Sequence, residues 1–380
     1  MSRKGRFEAA GCRARQVLLL YTSVAIGLAC LAARGAVADL LPAENPETGR
    51  ALEAKGQRKA DALAWFVNGL FEEESDGPEK ALESYRKALA LDPANTDLAV
   101  KVAYDYLRRG ETADAISVLK DAVKAAPKET APCLALSSTY LRHLHKPDLA
   151  AKYAQTAIEI APRTFAPYEA LWEVYLSGGQ TAKAEQVLEK AARSKSTDPS
   201  FWISLAELNC RNVLRDAGAS LSEAEFQRVG RLLEKAAVCG EKDPAALSKI
   251  GDLYVLTRQT DKALPFYSAV VALKPSYPQI REKLAGCLVE TGQTDAAIEV
   301  IEDLVKGNPL SVAAYDQLTQ LYLKAGHQQK ALSSARQALL MEPQLLARHL
   351  QVIDLLFKQK DYLGAVSALA DARKRFPQAG

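Results

Sequence analysis

Methionine, tryptophan and histidine are the scarcest residues here, at two, three and four in a chain of 380. So little imidazole leaves no stock for a multi-histidine metal centre or a network of histidine bases. The one close pair, His143-x-His145 before Pro147, does not share a helix face, and two ligands leave a zinc site half empty. No His-Glu-x-x-His, Walker or dinucleotide pattern occurs, and Ser, His and Asp are scattered without a nucleophile elbow. The expectation is therefore no metal, no cofactor, no catalytic residue and no enzyme. Cysteine is sparse too. Beyond residue 38 only Cys133, Cys210, Cys239 and Cys287 remain, at spacings of 77, 29 and 48 that fit no metal or redox pattern. They read as small buried hydrophobes on helices.

Long apolar runs are missing except near the start. Arg3, Lys4, Arg6, Arg13 and Arg15 face a single Glu8, an uncharged stretch runs from Val17 to Ala33, and Ala36-Val37-Ala38 follows. A basic start, an apolar middle and small residues at the end form a secretory signal peptide, with cleavage expected after Ala38. Seventeen residues are short for a bilayer core, which needs roughly 20. An uncleaved anchor and a lipidated Cys30 are the two alternatives. Residues 1–38 also hold six basic residues and one acidic, so the rest has 43 basic against 45 acidic. That part is near −2 rather than the +3 of the whole chain, and no Lys/Arg stripe remains for phosphate. Nucleic acid is disfavoured.

What is abundant is Ala, Leu, Lys and Glu, the strong helix formers. Prolines expected to close helical segments fall at 93, 127, 162, 199, 244, 275, 309, 343 and 377, in steps of 34, 35, 37, 45, 31, 34, 34 and 34. A large residue stands 21 positions before the proline at Tyr106, Tyr254, Leu288, Tyr322 and Leu356. Small residues recur in a second helical segment at Ala115 and Ala122, Ala184 and Ala191, and Ala331 and Ala338. A period of this length with two helical patterns per unit is the signature of a helical repeat array.

With Trp65, Gly69, Ala81, Tyr85, Ala88 and Pro93 in one unit, and Ile250, Gly251, Tyr254, Ala263, Tyr267 and Pro275 in another, the chain resembles the tetratricopeptide repeat (TPR) superfamily over residues 62–377, as an exported, bacterial-type member. The resemblance implies an all-α, right-handed superhelical solenoid of helix-turn-helix repeats. The expected domains are the signal at 1–38, a linker and leading helix at 39–61, and about nine units over 62–380. These begin near 62, 96, 130, 165, 199, 244, 278, 312 and 346. The fifth unit carries surplus residues at 215–221, followed by a Ser222-x-x-Glu225 capping box. Opposite helix ends would place Cys210 and Cys239 about 20 Å apart, too far for a bridge limited to roughly 7 Å. The last helix, with its Arg373-Lys374-Arg375 run, is expected to cap the array itself, a dimer contact being the alternative.

In the family the first helix of each unit lines a concave groove. Carried onto this chain, the first three units present Leu63, Phe66, Leu70, Val100, Tyr104 and Leu134. The later units present Glu169, Glu173, Ile203, Glu207, Asp252, Glu282, Asp316, Leu350 and Asp354. An apolar entrance would lead into carboxylates and take an extended or helical, basic protein segment. The Lys, Asn and Arg groove residues of chaperone-tail TPR clamps are missing at these positions. The expectation is a non-catalytic protein–protein interaction scaffold of the periplasm or cell envelope. Membrane contact would come only through residues 17–33, if uncleaved. An accessory subunit of an envelope polysaccharide, cell-wall synthesis or secretion complex is the alternative, and an enzyme the remote one.

Overall fold

The computed structural model describes residues 46–75, 77–214, 221–275 and 277–378. The signal reading at 1–38, the start of the linker and most of the 215–221 insertion lie outside the described residues. All regular structure among the described residues is helical, and the chain divides into two compact units. The first, reaching Arg109, contains α1 (Pro46–Ser75), α2 (Pro78–Leu91) and α3 (Thr96–Arg108). The second, from Gly110, holds α4 (Thr112–Ala125), α5 (Ala131–Arg142), α6 (Pro147–Ile160), α7 (Ala166–Ser177), α8 (Thr181–Ala192), α9 (Pro199–Leu214) and α10 (Glu223–Cys239). It continues with α11 (Pro244–Leu256), α12 (Thr260–Leu273), α13 (Pro278–Glu290), α14 (Thr294–Gly307), α15 (Val312–Lys324), α16 (Gln328–Met341), α17 (Leu346–Lys358) and α18 (Tyr362–Arg375).

Odd-numbered helices open the repeats and even-numbered ones close them; they are called A and B below. Eight of the nine A-helices begin within one residue of the expected positions. The first does not. Residues 50–61 are mostly helix formers, with Gly56 alone against them and no proline, so α1 runs unbroken from Pro46 and the expected boundary at 61 falls inside it.

Two turns alternate. From A to B, one residue takes the left-handed conformation: Gly110, Gly179, Gly292 and Gly326, but also His145, Arg258 and Lys360. The next amide then reaches back to the A-helix, as Gln180 N–H to Tyr175 O at 2.8 Å and Gln293 N–H to Leu288 O at 2.7 Å, closing a Schellman turn. His145 is thus a turn residue. From B to A the helix ends on one last amide bond and proline follows, as at Asp92, Ala126, Ala161, Lys274, Asn308 and Glu342. Pro199 and Pro244 differ from the expectation that they close helices. They open α9 and α11, where a missing N–H costs nothing, and this shifts the 37, 45 and 31 steps.

The second unit's main core runs continuously from Ala154 to Ala331. The repeated alanines of the B-helices are fully buried, so that large residues of the neighbouring helices can close on them. The last pair, α17 and α18, rests on a separate small cluster of Leu332, Ala335, Val352, Leu355, Leu356 and Ala365. Its outer face is not the polar cap expected from sequence. Only Ala365 and Ala372 of α18 are buried, while several of its apolar residues are exposed. The Ser222/Glu225 capping box forms in full.

Candidate functional site

The A-helices carry every residue nominated for the groove. In the first unit, Phe66 and Leu70 are half-buried on α1, and Phe66 stacks on Tyr85 with ring centroids 5.9 Å apart. Part of Phe66 is therefore packing. Leu63 of α1 and Tyr104 of α3 are exposed, Tyr104 at 66%. In the second unit Leu134 is half-buried on α5. Glu169 and Glu173 lie on α7, Glu207 on α9, Asp252 on α11, Glu282 on α13, Asp316 on α15 and Asp354 on α17. Leu350 of α17 is exposed. Ile203 is a correction: it is buried, because α9 is apolar on nearly every side and packs against α8, α10 and α11.

The carboxylates do not stand as a bare row. Arg142 of α5 donates to Glu173 of α7 at 2.8 Å, and Arg211 of α9 donates to Glu169 of α7 at 2.6 Å. Lys283 of α13 reaches both Asp252 oxygens, at 2.6 and 2.8 Å. Arg348 of α17 pairs with Asp316 of α15 and also donates to Glu342 at 2.9 Å. Lys358 holds Asp354 at 2.7 Å within α17. Four of these five pairs join the A-helix of one repeat to the A-helix of the next. Glu207 and Glu282 have no basic partner among the described residues. Most of the paired side chains are well exposed, so each bridge is worth roughly 0–1 kcal/mol. Arg348 is the exception, at 17% side-chain exposure; its hydrogen bond to Asp316 raises its already high pKa.

The sequence reading missed these bases. Their signal was one of spacing: Arg or Lys stands 31 or 32 residues from its carboxylate in three of the pairs, and 42 from α7 to α9 in the fourth.

Tyrosine adds a third member at three places, one being Tyr322 of α15, which donates to Glu302 of α14 beside Lys330. In the first unit Tyr85 donates to Glu73 at 2.7 Å and Lys101 reaches the same carboxylate at 2.9 Å. Burial alone would raise the Glu73 carboxyl, but the hydrogen bonds from Tyr85 and Lys101 outweigh it and hold it below the usual carboxylate range. In the second unit Tyr267 donates to Asp252 at 2.6 Å, with Lys283 above its ring at 5.9 Å. Burial, then the bond to Asp252, drives the Tyr267 hydroxyl well above its ordinary pKa. These are neutral donors locked on carboxylates, not poised acids or bases.

Near α7 and α9 the surface is mixed. Trp172 Nε1–H donates to Asn212 at 3.3 Å, and the Arg211 guanidinium lies 6.0 Å from the Trp172 ring. Behind it, burial and then the charge of Glu207 push the Cys210 thiol up to about 11, which makes it inert as a nucleophile. All four cysteines among the described residues are free. Cys239 departs from expectation by being exposed, since it ends α10 instead of facing the core. Among the described residues no group of three His, Cys, Asp or Glu is placed to hold a metal ion, and no helix is long and apolar enough to cross a membrane.

The tetratricopeptide repeat family model matches residues 254–321, and that of the ChAPs (Chs5p-Arf1p-binding proteins) matches 76–198. No curated protein sequence matches the chain. Solved structures with a similar fold include MamA from Desulfovibrio magneticus RS-1, at 18% identity and a TM-score of 0.34 over 47% of this chain and 98% of that one. YrrB, described as a TPR protein with an unusual peptide-binding site, is 15% identical with a TM-score of 0.33, over 50% and 92%. Cut9–Hcn1 of the APC/C is 15% identical with a TM-score of 0.30, over 73% and 52%. Residues 254–321 thus match the tetratricopeptide repeat family, and the helix pairs with their two alternating turns form an all-α helical-repeat solenoid of that superfamily's type.

Proposed function

We propose that this chain is an exported, non-catalytic scaffold that binds a basic segment of a partner protein along the A-helix face of its second unit. The observation that carries the reading is the placement of Glu169, Glu173, Glu207, Asp252, Glu282, Asp316 and Asp354 on successive A-helices, with Glu207 and Glu282 left unpaired. A Lys or Arg of the ligand would meet the two free carboxylates directly. At the paired positions it would exchange with an exposed Arg or Lys that contributes little to folding. Such exchange gives selection by charge pattern and fast association more than raw affinity. In the first unit, exposed Tyr104 with Leu63, Phe66 and Leu70 offers apolar surface, with Leu134 doing so on α5 of the second. The basic start and apolar stretch of residues 1–38 support export to the periplasm or cell envelope. A native N-terminus at Asp39, read by mass spectrometry, would agree with this.

The test of the site is co-purification of partners from envelope extracts at increasing salt. Glu207→Lys with Glu282→Lys should cut retention at least tenfold, a loss of about 1.4 kcal/mol. The same reversals at the exposed B-helix residues Glu234 and Glu299 should leave it unchanged. Retention by the native chain should fall as salt rises, since exposed charges are screened over about 10 Å at 0.1 M. Tyr104→Ala should weaken binding with little salt dependence. Equal retention by all variants would overturn the proposal.

A further inference from the structure

The exposed apolar face of α18 is larger than a repeat end requires. In the preceding repeat Leu332 and Ala335 are buried against α17; 34 residues later their counterparts Val366 and Leu369 are 66% and 52% exposed. This much follows from α18 being the last described helix, with its stacking side uncovered. Leu363 and Tyr362 do not follow from it. At the position of Leu363 the three preceding B-helices carry Asp261, Asp295 and Gln329, and at that of Tyr362 they carry Thr260, Thr294 and Gln328. Apolar residues have replaced polar ones at solvent-facing positions, and Leu363 is 88% exposed. Phe357 of α17 extends the patch, its ring set edge-on to Tyr362 at 5.4 Å. Together these side chains open on the order of 500 Å² of apolar surface, at the upper end of what a monomer usually shows.

The pattern within the face names its occupant. Tyr362, Val366, Leu369 and Arg373 are separated by 4, 3 and 4 residues, so they form one stripe along the helix. That spacing reads the same in both directions. An identical helix laid antiparallel across a two-fold axis meets it in register: Val366 against Leu369, and Tyr362 against Arg373. The centre is apolar on both sides, and each end sets a cation against an aromatic ring. The helix dipoles also run opposed. A symmetric pair would cover about 1,000 Å², the lower bound of specific interfaces. We infer that α18 is the contact of a closed, tail-to-tail dimer of this chain, self-complementary as a two-fold interface must be.

Sedimentation velocity and light scattering on the full chain over a wide concentration range test this. The expected result is a two-copy species that grows with concentration and then saturates. Val366→Asp with Leu369→Asp should give single copies with unchanged helical circular dichroism. Leu363→Gln restores a polar residue at a position that is polar in the preceding repeats and costs no packing, so it keeps the test decisive if the double variant unfolds. It should weaken dimerisation at least tenfold, since the two-fold pair loses the apolar side chain from both copies. A single-copy mass at every concentration would overturn the inference and leave the face to another protein. So would a mass that grows past two copies, which is the signature of head-to-tail stacking on α1, or variants that dimerise like the native chain.

Discussion

At the residue scale, one close approach recurs and explains two glycines. A Cβ added to Gly251 would lie 2.7 Å from the Tyr267 ring, and one added to Gly69 would lie 2.5 Å from Tyr85. Both tyrosines are almost fully buried and anchored by their hydroxyls on Asp252 and Glu73, so neither ring can swing aside. Gly251→Ala should therefore destabilise the protein by about 1–3 kcal/mol, the cost of overpacking a filled core. Gly286, helical in α13 with nothing within 4 Å of an added Cβ, is the control. There Ala should raise stability by up to about 1 kcal/mol through helix propensity alone. Denaturant unfolding of the two variants checks both signs. Gly69 and Tyr85 already stood out in the sequence as a pair of matching types, but the hydroxyl's attachment to a carboxylate did not, because its partner comes from another helix.

At the element scale, the turns carry unequal strain. Gly292 and Gly326 occupy the left-handed turn position without cost, whereas His145, Arg258 and Lys360 hold it with a Cβ present. A side chain there costs roughly 1–2 kcal/mol, and glycine returns about 0.5–1 kcal/mol of that as unfolded-state entropy. Lys360→Gly and Arg258→Gly should each stabilise by about 0.5–1 kcal/mol, and Gly292→Ala should lose about the same, 0.5–1 kcal/mol. Thermal midpoints measured in one buffer decide the matter; a fall in the Lys360→Gly midpoint would mean that the lysine makes a contact worth more than the strain. The same turn explains the histidine pair that scarcity had made conspicuous, since His145 closes α5 onto α6.

At the scale of the whole molecule, the second unit is a chain of neighbour contacts with one long core and one small terminal cluster. Its core up to Ala331 owes nothing to α17 or α18, which rest on Leu332 and Ala335. In a repeat array stability is close to a sum of nearest-neighbour terms. A variant ending at residue 345 should therefore keep the helical content of the remaining repeats and unfold at a lower temperature. Collapse of its circular dichroism to that of an unfolded chain would refute this modular picture. Loss of self-association in the same variant is expected if α18 is the dimer contact.

The repeat period, the helix boundaries and the capping box were legible in sequence because they depend on local chemistry. Proline stops or starts a helix, glycine takes the left-handed turn, and Ser222 with Glu225 satisfies free amides wherever they stand. Which residues sit on the A-helices was legible for the same reason, whereas their nomination as a groove came from the family resemblance and stands as a proposal. What the tertiary structure decided is what depends on neighbours more than thirty residues away. It buried Ile203, because α9 is enclosed by three helices. It tied Glu169, Glu173, Asp252 and Asp316 to bases of adjacent repeats, so that a row of carboxylates became a lattice of pairs with two free members. And it left Val366 and Leu369 open where their counterparts one repeat earlier are covered, since exposure is set by what packs against a residue and not by the residue itself.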